Sequence, residues 1–224
     1  MRLGLLQCGE VRDTLASRHG DYPQLYAALL GAGFAWRTFR CFEGDVPEDP
    51  DLCDGWLVSG SRFGAYEPHG WIPPLEDLLR KIHGRRPLVG ICFGHQIVAQ
   101  ALGGRVEKAR QGWAVGRRAY DWSGETVHLN AWHQDQVTSP PPEAAVIARN
   151  DFTDHAGFRI GPTTLTLQPH PEFTPAYIAD MIPEVGRGTV PEDRLREAEA
   201  ALPLPVDNAL AGRRLAAVFR EGAA

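Results

Sequence analysis

The most constraining stretch of this 224-residue chain is Pro87-Leu88-Val89-Gly90-Ile91-Cys92-Phe93-Gly94-His95-Gln96. An apolar strand pattern runs into a helical one, with a cysteine at the join. Glycines stand two places before it and two after, so the motif reads G-x-C-x-G. This is the cysteine form of a nucleophile elbow. Small residues at those places let strand and helix pack closely around a sharp, strained turn that lifts the sulfur above the sheet edge. A helix N-terminus at the join favours the thiolate. The alternative is a buried, inert cysteine, the common state of a free thiol; the strand–turn–helix context favours the nucleophile.

The patterns around the elbow predict an α/β fold. Arg2–Gln7, Ala35–Cys41, Gly55–Ser59 and Pro87–Cys92 read as strands. Tyr22–Gly31, Pro73–His83 and Phe93–Leu102 read as helices. Asp21 suits the first N-cap and Pro23 its first turn, while Leu75, Leu78, Leu79 and Ile82 form one stripe of the second. That alternation implies a parallel sheet with helices on both faces. In the second half, Val115–Asp121, Thr126–Trp132, Ala145–Arg149, Gly157–Ile160 and Thr164–Gln168 read as further strands, partly antiparallel. Thr174 caps a helix that begins at Pro175, and Pro191–Leu202 and Asn208–Arg220 read as two more helices.

Composition narrows the function classes. Hydrophobic residues make up 43%, enough for a core, and the net charge of −5 argues against a nucleic-acid surface or a polybasic membrane patch. No run approaches the roughly 20 apolar residues of a transmembrane helix, and the N-terminal residues lack a cleavage-type signal. Cys8, Cys41, Cys53 and Cys92 form no C-x-x-C pair and no disulfide framework. A reducing, cytoplasmic setting is therefore expected. There is no H-E-x-x-H, no Cys/His cluster at ligand spacing and no G-x-x-x-x-G-K-[ST], so no metal, cofactor or ATP site is expected.

A nucleophile needs a base, and Leu167-Gln168-Pro169-His170-Pro171-Glu172-Phe173 supplies a candidate at the end of an apolar strand. The two prolines hold the chain extended, where residues two apart point the same way. His170 and Glu172 can then sit side by side, the carboxylate fixing the tautomer and the other ring nitrogen facing Cys92. Alone, H-P-E fits an exposed His beside a Glu equally well; with the elbow it completes a triad. The third piece is Val58-Ser59-Gly60-Ser61, after a strand. It reads either as an ordinary turn or as an oxyanion hole formed by the backbone N–H groups of Ser61 and Phe93.

Together, Ser59-Gly60-Ser61, Gly90-Ile91-Cys92-Phe93-Gly94-His95-Gln96 and His170-Pro171-Glu172 resemble the class I glutamine amidotransferases, the triad family with a Cys-His-Glu set. The match in order and spacing runs from about residue 1 to about residue 180. Gly-Ser in place of Gly-Gly-Pro, Gly112-Trp113 with Gly116, and Trp132-His133-Gln134-Asp135-Gln136-Val137 resemble the stand-alone GMP-synthase-like group, which includes γ-glutamyl peptidases. The resemblance implies a flavodoxin-like three-layer sandwich over residues 1–183, with 184–224 as a C-terminal helical extension of the same domain. It implies that Cys92 attacks the γ-amide of glutamine and that His170 and Glu172 complete the triad. It further implies that Gly60, Gln96, His133, Gln134 and Asp135 line the substrate pocket. His133 to Asp135 also read as a simple polar turn, and His95 as helix packing. Two features depart from the resemblance: Pro169 stands where relatives commonly carry an aromatic residue, and the segment after about residue 183 matches no recognised motif.

Three functions follow from this reading. The first is a glutaminase delivering ammonia to a separate synthetase. The second is a free-standing hydrolase of γ-glutamyl peptides or amides. The third is a non-catalytic binding subunit on the same fold.

Overall fold

A computed structural model describes residues 1–222. The parallel half is β1 (Arg2–Gln7), α1 (Asp13–His19), α2 (Tyr22–Leu30), β2 (Ala35–Arg40), β3 (Gly55–Val58), α3 (Ile72–Ile82), β4 (Leu88–Ile91) and α4 (Phe93–Ala101). It continues into β5 (Arg105–Lys108), β6 (Ala114–Trp122), β7 (Glu125–His133), β8 (Asp135–Ser139), β9 (Ala144–Arg149), β10 (Gly157–Ile160) and β11 (Thr164–Leu167). The helices α5 (Pro175–Met181), α6 (Glu192–Ala200) and α7 (Asn208–Glu221) follow. The main sheet has nine strands in the order β2-β1-β3-β4-β11-β10-β9-β6-β7. β2, β1, β3, β4 and β11 are parallel, and the remaining pairings are antiparallel.

Every residue of β4 is buried, as a continuous apolar strand covered on both faces requires. On one face Leu5, Leu57, Val89 and Leu165 pack with Tyr26 and Leu30 of α2 and Leu215 and Phe219 of α7. On the other, Leu6, Val58 and Leu88 pack with Leu75, Leu78 and Leu79 of α3 and Ile97 and Val98 of α4. The result is the three-layer, flavodoxin-like sandwich expected. α6 packs on β6, and α7 on α2, β4 and β11.

Three elements were not legible in the sequence. α1 buries only Leu15, and β5 and β8, which pair as a separate ribbon, each bury one valine, Val106 and Val137. Such short elements carry no apolar period.

The decisive topological event is β11. After the antiparallel excursion the chain returns to the centre of the sheet, parallel to β4, with Leu167 opposite Ile91. The residues that follow each strand therefore emerge at the same carboxyl edge, where α/β sheets build their sites.

Candidate active site

Cys92 occupies the join of β4 and α4 with φ 53° and ψ −104°. A non-glycine residue in that region costs about 1–3 kcal/mol. The conformation is held from both sides: the Cys92 N–H donates to Leu167 O at 2.8 Å, and its carbonyl accepts from Gln96 N–H at 3.1 Å. The two glycines are required by contact. A Cβ on Gly94 would lie 2.3 Å from Val58 O, and one on Gly90 2.5 Å from Gly94 O.

His170 and Glu172 leave the end of β11 toward this sulfur. His170 Nδ1 meets Glu172 Oε1 at 2.6 Å, with both side chains almost wholly buried, and Cys92 is the other titratable group that acts on the imidazole. Burial works to discharge the imidazole; the charges of Cys92 and Glu172 outweigh it and raise its pKa to about 10. The arrangement thus favours a protonated imidazole despite its burial.

Two further residues complete this set, and the sequence reading did not include them. Gln168 is fully buried and donates Nε2 to Cys92 Sγ at 3.6 Å, while its Oε1 accepts from Gln96 Nε2 at 3.1 Å. The alternation that paired His170 with Glu172 also puts Gln168 on the same side, so the signal for it was present. Tyr26 of α2 donates to Glu172 Oε1 at 3.1 Å and accepts from Gly60 N–H at 3.3 Å. Burial, then the Glu172 charge, push its phenol pKa up, so it stays a donor. No local pattern distinguishes Tyr26 from any other apolar-face residue of its helix.

The oxyanion candidates lie beside the triad. A Cβ on Gly60 would fall 2.9 Å from His170 Cε1 and 2.8 Å from Tyr22 Oη, so only glycine lets the loop approach this closely. Ser59 and Ser61 moor the loop to the chain after β1: Ser59 Oγ accepts from Cys8 N–H at 2.9 Å and Ser61 Oγ donates to Cys8 O at 2.7 Å. Among the described residues, the Ser61 and Phe93 backbone N–H groups meet no protein acceptor. Phe93 is the first residue of α4, where such donors are left free.

Of the pocket candidates, Gln96, His133 and Asp135 come together. Gln96 Nε2 donates to Asp135 O at 2.9 Å, and His133 Nδ1 meets the same carbonyl at 3.0 Å. Burial lowers the His133 pKa to about 3, so the ring is neutral with Nδ1 as the donor. Burial also raises the Asp135 pKa, and Tyr66 donates to its Oδ2 at 3.1 Å. His133 Nε2 and Asp135 Oδ1 are buried acceptors without partners among the described residues. Gln134 contributes its backbone, whose carbonyl accepts from Ala109 N–H at 2.8 Å. Among the described residues no group of three or more His, Cys, Asp or Glu is arranged to hold a metal, and no helix is long and apolar enough to cross a membrane.

The chain is similar to known proteins in sequence and fold. The glutamine amidotransferase class-I family model matches residues 43–182. Gamma-glutamyl peptidase 4 of Arabidopsis thaliana is 32% identical over 188 residues, covering 76% of this chain and 75% of the relative. The glutamine-hydrolysing GMP synthase of Thermus thermophilus is 41% identical over 151 residues, which is 58% of this chain but 28% of that protein. A glutamine amidotransferase from Thermotoga maritima superposes with a TM-score of 0.72 at 18% identity, covering 100% of this chain and 97% of the other. With its model matched over more than half of the chain, the protein belongs to the class-I glutamine amidotransferase family.

Proposed function

We propose that the chain hydrolyses a γ-glutamyl amide through a Cys92 thioester, glutamine being the simplest substrate. The observation that carries this reading is the buried His170–Glu172 pair, 2.6 Å apart, joined to a cysteine in a strained elbow. The Cys92 thiolate attacks the γ-carbonyl carbon, and the Ser61 and Phe93 N–H groups receive the oxyanion; one such donor is worth roughly 10²–10³ in rate. As the C–N bond breaks, protonated His170 transfers its proton to the leaving amine. The neutral imidazole then takes a proton from water, whose oxygen attacks the thioester. Glutamate leaves, Cys92 returns to the thiolate and His170 to its protonated form. Glu172 and Tyr26 keep the imidazole oriented throughout. The unspent acceptors His133 Nε2 and Asp135 Oδ1 suit the substrate's α-ammonium group.

A second reading concerns the leaving amine. The γ-glutamyl peptidase relative is spanned over 75% of its length, whereas the GMP synthase relative is spanned over 28%. That difference favours a free-standing hydrolase of γ-glutamyl peptides over a subunit feeding ammonia to a separate synthetase. Either activity suits a reducing cytoplasm, where the cysteine stays unoxidised. The test is to assay the purified chain against glutamine and several γ-glutamyl dipeptides, with Cys92→Ala as the blank. Turnover of dipeptides without a partner supports the second reading. Glutaminase activity that appears only with a synthetase supports the first. Absence of Cys92-dependent turnover on every compound overturns both and leaves a binding subunit.

A further inference from the structure

The family match ends at residue 182, and the two residues that open α7 lie well beyond it. Asp207 exchanges two hydrogen bonds with His128 of β7: its N–H donates to His128 O at 2.8 Å, and its Oδ2 accepts from His128 N–H at 2.7 Å. The next residue, Asn208, donates Nδ2 to Phe173 O at 3.0 Å. The same carbonyl accepts from Asn130 Nδ2 at 2.8 Å, and Asn130 O accepts from His170 N–H at 2.8 Å. Phe173 closes the ring. Its N–H donates to His170 O at 3.2 Å, and its side chain stacks on the imidazole with centroids 4.0 Å apart and planes at 4°.

This ring answers a local weakness. Pro169 and Pro171 have no N–H to donate, and the segment lies past the last ladder of β11. The backbone that carries the base therefore has few anchors of its own. We propose that Asn208 is a positioning residue that clamps the His170–Phe173 segment at the Cys92 sulfur, with Asp207 fixing the start of α7 on β7, making the C-terminal helix a working part of the site. The proposal rests on the reading of Cys92, His170 and Glu172 as the catalytic set. The titratable groups around His170 are Cys92 at the head of α4, Glu172 on its own segment, Tyr22 and Tyr26 of α2 and His133 of β7. The Asp207 carboxylate faces His128 instead, 3.6 Å from its Nδ1.

The experiment compares Asn208→Leu and Asn208→Gln with Leu215→Ala, a fully buried core position of the same helix. Three quantities are measured well below the melting temperature. They are the rate of Cys92 alkylation by iodoacetamide at neutral pH, located by peptide mass spectrometry; the His170 titration midpoint by NMR; and kcat and KM. Small misplacements of catalytic groups cost up to about 10²-fold in rate, so Asn208→Leu should slow alkylation and kcat about tenfold with KM little changed. The His170 midpoint should move down toward its ordinary value, and Asn208→Gln should recover part of each loss. Leu215→Ala should lower Tm while leaving alkylation and the midpoint unchanged. Wild-type alkylation and midpoint in Asn208→Leu overturn the proposal, as does an equal shift in Leu215→Ala. If Asn208→Leu does not fold, Asn208→Ser is read by the same criteria. Alkylation and titration need no substrate. An Asn208→Leu effect in a protein that hydrolyses no γ-glutamyl compound therefore supports the clamp while overturning the proposed reaction.

Discussion

Two buried histidines, His95 and His170, are opposites. His95 follows Cys92 by three positions on α4, is wholly buried, shares Nδ1 with Thr166 Oγ1 at 2.9 Å and stacks on Phe158. Its Nε2 has no partner among the described residues, and burial, with a smaller push from His133, lowers its pKa to about 3. His170 is distant in sequence and equally enclosed, yet it is held protonated by Cys92 and Glu172. Burial alone therefore does not decide the charge of a histidine. It penalises the charged form, and a carboxylate within hydrogen-bond reach, as Glu172 is of His170, helps reverse the outcome. The comparison also separates the histidine nearer the cysteine in sequence from the proposed base. The helix that presents Cys92 at its head turns His95 toward Thr166 and Phe158.

Substitutions sharpen this contrast in a graded way. Cys92→Ala should abolish turnover while the circular dichroism spectrum and Tm stay close to wild type. Next in size, His170→Asn and Glu172→Gln should each reduce kcat by about 10²–10⁴-fold, measured on whichever γ-glutamyl compound the wild type turns over. His95→Gln should leave kcat within about threefold, because general acid–base catalysis follows the group within reach of the reacting atoms. A loss as large as that of His170→Asn would remove the distinction between the two rings.

Stability against pH separates the same pair by sign. The unfolded chain protonates His95 near 6.5 and the native chain near 3. Between those values the unfolded state binds the extra proton, so native stability is full above pH 6.5 and falls as pH drops, at no more than about 1.4 kcal/mol per pH unit. His133 adds a slope of the same sign. Denaturant melts of His95→Gln should show a flatter acid limb and no change above pH 7. For His170 the native value is the higher, about 10. Its contribution is full below pH 6.5 and fades as pH rises toward 10, so His170→Asn should lose its stability deficit in alkali. The smallest expected effect belongs to the pocket edge. Tyr66→Phe deletes one hydrogen bond to Asp135, worth about 1 kcal/mol, and should raise KM a few-fold with kcat nearly unchanged.

Much of the architecture was written locally. G-x-C-x-G announced the elbow because strand and helix can meet there only through Gly90 and Gly94. The alternation of His170 with Glu172 announced their side-by-side contact because extended chain repeats every two residues. The same alternation contained Gln168, whose amide reaches the sulfur, yet a buried glutamine in an apolar strand has no pattern of its own. β5 and β8 were silent because one buried valine each makes no period.

What the sequence determined by itself, then, was each half of the site: a strained thiol at one strand end and a paired imidazole at another. Local sterics and periodicity are enough for that. Only the tertiary structure brought the halves together, by returning β11 to the centre of the sheet beside β4. It also recruited Tyr26, Gln96 and Asn208 from three different helices to hold them. Those contacts depend on how helices seat on the sheet faces. Seating is fixed by packing across distant segments, and no short stretch of sequence encodes it.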